Sequence, residues 1–264
     1  MDLQLNNKTA LVTGSTAGIG FAIAKNLLKE GARVIITGRS QERLTKAIEA
    51  LRAEVPSAFV QGVKVDFAKR EEVEALTQAV LDVDILINNV GIFEPKPFTE
   101  ITDEEWFTFF EVNVMSGIRL SRFYFNKMLQ KNWGRIVFIS SESAIQIPEE
   151  MIHYGTTKTA QLAVSRGLAE LTKGTHVTVN AVLPGPTLSE GVTGFIANLG
   201  QQQNKTAAQV EEEFFQSARP TSLLQRFATT EEVANLVTYV VSPLASATNG
   251  AALRVDGGVV RSIV

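Results

Sequence analysis

Short, continuously apolar runs alternate along this chain with longer stretches whose apolar positions recur every three or four residues. Residues 8–13 (KTALVT) read as a strand that runs into a glycine-rich turn and then a helix over 19–30. Gly31 stops that helix, because glycine readily takes the positive φ of a helix end. Residues 33–37, 59–65 and 84–88 read as further strands. Between them 42–54 and 71–81 have helical spacing, with Leu44, Ala47, Ile48 and Leu51 sharing one face. The second half continues with two helices within 102–130, a strand at 135–140, a helix at 154–173, a strand at 177–182, a helix at 231–241 and a last strand at 251–255.

Each parallel return of a strand needs a crossover helix, so this alternation predicts a doubly wound, parallel α/β sheet with helices on both faces. Val34-Ile35-Ile36 and Ile85-Leu86-Ile87 are apolar at every position, as strands covered on both sides require. Nothing divides the chain, so 1–264 reads as a single domain. The interruption is 188–224, which is rich in Gln, Thr and Glu in its middle and holds a short helix near 207–217. A long excursion in an otherwise tight pattern reads as a lid over a substrate, with a surface insertion as the plainer alternative.

Composition narrows the chemistry. There are 25 Lys and Arg against 28 Asp and Glu, a formal charge of −3, so no basic field exists to collect a nucleic acid. There are no cysteines, which removes disulfides, thiolate catalysis and cysteine-held metal, and two histidines, His153 and His176, are too few for a histidine metal site. No run is long and apolar enough to span a membrane, and residues 1–10 lack a secretory pattern, so a cytoplasmic enzyme is expected.

Thr13-Gly14-Ser15-Thr16-Ala17-Gly18-Ile19-Gly20 lies between the first strand and the first helix. Glycines there permit a tight turn and a close approach of backbone to a pyrophosphate, which the helix N-terminus attracts. Tyr154 and Lys158 lie one helical turn apart, so they share a face. A phenol is a poor acid near neutrality, and a neighbouring ammonium is expected to lower its pKa towards the working range. Ser140 and Ser141 end a strand, where ligands bind in open α/β sheets, and a serine there can donate to an oxygen that gains charge. Asn113 lies in a segment that can reach the same crevice.

Taken together these motifs make the chain resemble the single-domain short-chain dehydrogenase/reductases, over about 8–258. Thr13 to Gly20 matches the TGxxxGIG turn, and Asn88-Asn89-Val90-Gly91 matches NNAG with valine in place of alanine. Asn113 matches the helix asparagine, Ser141 with Tyr154 and Lys158 the catalytic serine and YxxxK, Pro184-Gly185 the PG motif, and Asp256-Gly257-Gly258 the C-terminal signature. The resemblance implies a Rossmann-type fold and hydride transfer between NADP(H) or NAD(H) and a carbonyl or alcohol. It makes Tyr154 the acid or base, Lys158 its partner and a ligand of the nicotinamide ribose, Ser141 the group that polarises the carbonyl, and Asn113 the holder of a relay water. Ser140 and Ser143 are the alternatives for the serine. It further implies that Gly14, Ser15, Thr16, Gly18, Ile19 and Gly20 bind the dinucleotide phosphates. Asp66 and Phe67 are to lie by the adenine, Asn89 and Gly91 by its ribose, and Pro184, Gly185 and Thr187 by the carboxamide.

NADP(H) is the expected preference, with NAD(H) also accepted. The second strand ends Gly38-Arg39-Ser40 without the acid that holds a free ribose, while Arg39 and Ser40 can hold a 2′-phosphate. Arg39 as a solvated residue, or stacked on the adenine, is the alternative. Leu188, Val192, Phe195, Ile196 and Leu199 in the excursion suit an apolar or amphipathic substrate. The family resemblance also implies a homotetramer. A nucleotide-sensing protein without turnover is the rival reading. His153 is expected at the pocket mouth or in solvent, the aromatic run Trp106, Phe107, Phe109 and Phe110 in packing, and Glu211 to Glu213 on a solvated face.

Overall fold

The computed structural model describes residues 1–263, except for the side chain of Phe195, so its expected place in a lid lies outside the described residues. The elements run β1 (Thr9–Val12), α1 (Gly18–Lys29), β2 (Arg33–Gly38), α2 (Gln41–Glu54), β3 (Val60–Lys64), α3 (Arg70–Ala79), β4 (Ile85–Asn88), α4 (Asp103–Phe110) and α5 (Ser116–Lys131). They continue with β5 (Gly134–Ile139), α6 (Ile152–Glu170), β6 (Val177–Pro184), α7 (Glu190–Gln203), α8 (Ala207–Ser217), α9 (Thr230–Val240) and β7 (Ala252–Val255).

The strands form one sheet in the order β3-β2-β1-β4-β5-β6-β7, and every neighbouring pair is parallel. The single domain is thus a doubly wound α/β fold, and the chain reverses direction across the sheet between β1 and β4. There the loops after neighbouring strands diverge and leave a crevice at their carboxyl ends. Strand residues alternate between the two layers. Ala10 and Val12, with Ile85 and Ile87, pack among Ile23 and Leu27 of α1 and Val233 and Val237 of α9. Leu11 and Leu86 face the other way, among Leu76 of α3, Leu120 and Tyr124 of α5, and Leu168 of α6. Continuous apolarity of these strands is the direct consequence of that double cover.

Two expectations change. The two helices expected within 102–130 form one continuous helical rod, because no glycine or proline interrupts it between α4 and α5. A π-helical turn, Glu111–Met115, inserts one extra residue instead. The excursion holds two helices rather than one: Ser189 caps α7 by accepting from the Val192 N–H, and a Thr206/Gln209 capping box starts α8. Ile196, Val210, Phe215 and Phe227 give it a small core of its own.

Candidate active site

Backbone demands shape the floor of the crevice. Gly14 and Gly18 have φ of 61° and 59°, a region that glycine enters without cost. A Cβ on Gly20 would lie 2.5 Å from both Asn89 Nδ2 and Gly14 O, so any larger residue would push the turn off β4. The two motifs are bonded to each other: Asn89 Nδ2 donates to the carbonyls of Thr13 and Gly14, and the amides of Asn89 and Val90 donate to Thr13 Oγ1. No side chain caps α1, and its first residues line the cavity, so its first N–H groups can serve an anion there.

The candidate reacting side chains share the cavity with this floor. Tyr154 and Lys158 lie on the first turns of α6 and line a cavity of about 700 Å³ together with Gly18, Ile19, Gly20, Asn89, Gly91 and Ser141. Pro184, Gly185 and Thr187 line its far side. Gly185 is fixed by packing, since a Cβ there would lie 2.5 Å from the Asp256 carbonyl. Lys158 is buried, donates from Nζ to the Ile139 carbonyl at 2.9 Å, and sits 5.6 Å from the Tyr154 ring centre. A Cβ on Gly91 would lie 3.4 Å from Lys158 Nζ, so the missing side chain leaves the ammonium open to the cavity. An uncapped helix start for phosphates and an open ammonium beside a phenol fit a nicotinamide dinucleotide.

Among the three candidate serines, Ser140 donates to the Lys158 carbonyl and so anchors α6. Ser141 adjoins the Tyr154 phenol, donates from Oγ to Glu142 Oε2 at 2.5 Å and accepts from the Ser143 N–H. Burial pushes the Lys158 ammonium down to about 8, against the pull of Glu142. The same burial, with the Glu142 charge, pushes the Tyr154 phenol up, and the Ser141 hydroxyl and Arg219 only partly offset it. That sign is opposite to the lowering expected from the lysine. Desolvation of the phenolate outweighs the neighbouring cation.

Several predicted residues stand elsewhere or have other partners. Ser15 is fully buried and its hydroxyl bridges the Val12 carbonyl and the Thr37 N–H, so it ties β1 to β2. Gly14 and Thr16 shape the turn without lining the cavity, and a Cβ on Gly38 would meet Thr16 Cγ2 at 2.5 Å. The Phe67 ring packs in the core beside Val73 and Leu76, which leaves only its backbone for an adenine, while Asp66 Oδ1 accepts from the Ala68 N–H. Thr187 Oγ1 donates to the Gly185 carbonyl. Arg39 is exposed, and among the described residues its guanidinium makes no hydrogen bond or ion pair; Ser40 caps α2 by accepting from the Arg43 N–H. Asn113, in the π-turn, is buried with its amide bonded to Ile92 and Thr157, and its carbonyl accepts from Gln161 Nε2. His153 is buried rather than at the pocket mouth, since its ring lies 4.0 Å from that of Phe109 and edge-on to Trp106. Phe107 is 72% exposed, so the aromatic run is only half used in packing.

Two cavity residues went unread as functional in the sequence. Glu142 follows Ser141 in the loop after β5, where no motif marks it. Arg219 lies after α8, far away in the chain, and is buried against Glu142 with an Nε–Oε1 distance of 3.1 Å.

This fold and constellation define a nucleotide-dependent oxidoreductase, and the chain belongs to the short-chain dehydrogenase/reductase family. The short chain dehydrogenase family model matches residues 8–200. The enzyme moves a hydride between NADP(H) or NAD(H) and a carbonyl or alcohol substrate. Among individual relatives, the uncharacterized oxidoreductase YvaG of Bacillus subtilis (strain 168) is 52% identical, with both chains covered in full. The 3-oxoacyl-(acyl-carrier-protein) reductase FabG of Aquifex aeolicus (strain VF5) is 35% identical over 98% of this chain and 99% of its own. The crystal structure of L-sorbose reductase from Gluconobacter frateurii, complexed with NADPH and L-sorbose, superposes with a TM-score of 0.94 at 30% identity and full coverage of both chains.

Proposed function

We propose that this chain is an NADP(H)-preferring carbonyl reductase or alcohol dehydrogenase in which Tyr154 is the general acid or base. The observation that carries this reading is the meeting of Tyr154, Lys158 and Ser141 with the uncapped start of α1 in one cavity. The bound dinucleotide supplies or accepts the hydride. Tyr154 holds the proton exchanged with the substrate oxygen, Lys158 holds the ribose and the charge beside the phenol, and Ser141 holds the substrate oxygen. The turn Gly14 to Gly20 cradles the phosphates, with the amides of Gly18, Ile19 and Gly20 as donors. Asn113 fixes the strand-end segment at Ile92 behind the lysine.

Arg39, exposed and unpaired beside Ser40, supports the NADP(H) preference, as does the NADPH held by the L-sorbose reductase relative. Ile92, Phe93, Met151, Val192, Leu199 and Phe214 line the cavity and support an apolar or amphipathic substrate, with residues 188–224 as its lid. We further propose a cytoplasmic homotetramer, supported by Phe107 and Phe110 exposed on α4 and Leu171 exposed beyond α6. The test is turnover of a panel of aldehydes, ketones, acyl thioesters and sugars with both cofactors, beside Tyr154→Phe. The phenyl ring keeps the packing and removes the proton donor, so the rate falls ~10²-fold or more with cofactor affinity unchanged. A variant that keeps half the wild-type rate refutes Tyr154 as the acid. Dinucleotide binding without turnover of any panel member supports the sensing protein instead.

A further inference from the structure

Glu142 and Arg219 form a buried ion pair against the reacting serine. Burial of such a pair costs several kcal/mol per ion before any return, so a hydrophobic pair would serve packing as well. Arg219 is seated by more than one contact. Its Nε donates to Glu142 Oε1 and its Nη1 to Glu150 Oε1, each at 3.1 Å, and its guanidinium lies 5.9 Å from the Phe214 ring centre. One arginine from the α7–α8 segment thereby pins the loop that carries Ser141 and the turn that opens α6.

The consequence falls on one proton. A serine hydroxyl has a single hydrogen to give and two lone pairs to receive. Ser141 gives its hydrogen to Glu142 and receives the Ser143 N–H, so one lone pair remains, next to the Tyr154 phenol. Held in this way Ser141 has no hydrogen left to steady a phenolate, and it can donate to the phenol oxygen or to a substrate oxygen only by turning away from Glu142.

We propose that Glu142 is a positioning residue that directs the Ser141 hydroxyl and keeps Tyr154 protonated, and that Arg219 sets the strength of this hold by neutralising Glu142 from the α7–α8 segment. Rested on the reading of Tyr154 as the acid, this poises the site for carbonyl reduction near neutrality and confines alcohol oxidation, which needs the phenolate, to higher pH. The charged groups that face the phenol are Glu142 from the loop after β5, Lys158 from α6 and Arg219 from the α7–α8 segment, and Glu150 stands behind Arg219. The two opposite charges of the pair act on the phenol with opposite sign.

The experiment is the pH profile of kcat for alcohol oxidation by wild-type, Glu142→Gln and Arg219→Gln enzymes, read above pH 8. Glu142→Gln keeps the shape and loses the charge, so the rising limb moves about one unit to lower pH. Arg219→Gln leaves the carboxylate uncompensated, so the limb moves to higher pH, and Arg219→Lys brings it back towards wild type. Cofactor Kd stays within about threefold throughout, since the hydrogen bonds of both side chains run to the Ser141 loop and to Glu150 and none runs to the glycine turn. Limbs that stay in place, or move the same way in both variants, overturn the proposal. Should Arg219→Gln not fold, the Glu142→Gln limb against that of Glu142→Asp, which keeps the charge, decides it: equal limbs refute it. A wild-type enzyme without turnover sinks the underlying function instead, so the two failures are distinct.

Discussion

Reversal of the charge at Arg39 is the sharpest probe of cofactor choice. Arg39 follows β2 directly, is solvent-exposed and has no partner among the described residues, so no folding contact is lost when it changes. The adjacent Gly38 cannot carry an acid without displacing Thr16, because a Cβ there would lie 2.5 Å from Thr16 Cγ2. The next arginine, Arg43, is ion-paired to Glu190 at the start of α7, whereas Arg39 beside Ser40 has no ion pair among the described residues. A guanidinium that grips a 2′-phosphate through charge-assisted hydrogen bonds at an exposed site contributes about 1.5–3 kcal/mol. Arg39→Asp forfeits this and adds repulsion of about 0.5–1 kcal/mol in surroundings near water. Together these come to about 2–4 kcal/mol, or ~30-fold to ~1,000-fold in kcat/KM for NADPH. NADH has no phosphate at that position and stays within about threefold. The assay is kcat/KM for both cofactors on one carbonyl substrate at low and at 0.5 M salt, with thermal melting to exclude damage. Salt should narrow the difference, because exposed charges are screened over about 8 Å at physiological ionic strength. Equal losses with NADPH and NADH, or a wild-type enzyme that favours NADH, refute the reasoning.

Other outcomes follow from the same geometry. Lys158→Met should raise the stability of the cofactor-free protein at pH 7 by about 1–3 kcal/mol, because it removes a buried ammonium. The lysine's value is depressed to about 8 in the fold, so unfolding takes up a proton between there and the ordinary value of 10.5, and stability rises with pH across that window. Denaturant titrations from pH 7 to 9.5 should show that rise in the wild type and a flatter profile in the variant; parallel profiles contradict the burial argument. Gly20→Ala should weaken dinucleotide binding ~10-fold or more, because the added methyl group meets Asn89 and the Gly14 carbonyl; unchanged Kd by calorimetry contradicts the cradle. Charged residues in place of Phe107 and Phe110 should dissociate the tetramer in sedimentation experiments, and a wild-type monomer at micromolar concentration removes the proposal of an assembly.

The order of elements, the glycine turn and the tyrosine–lysine pair were legible in the chain because each is local. Strand apolarity, the spacing of Gly14, Gly18 and Gly20, and the single helical turn from Tyr154 to Lys158 depend on neighbours a few residues away, where period and φ are written directly in residue type. What the tertiary structure decided depends on segments that meet only on folding. Asn89 spends its amide on the glycine turn 75 residues earlier, and Ser15 turns inward to join two strands. A π-turn seats Asn113 against Ile92 and Thr157, because the helical rod shifts phase to satisfy packing that its own sequence does not display. Arg219 reaches Glu142 across 77 residues, through an excursion whose two helices become evident only with their shared core. The sign of the Tyr154 shift belongs to the same class. Spacing put a lysine beside the phenol, but desolvation and the charge of Glu142 depend on how much water the assembled site excludes and on which charges it encloses, and those are properties of the packed whole.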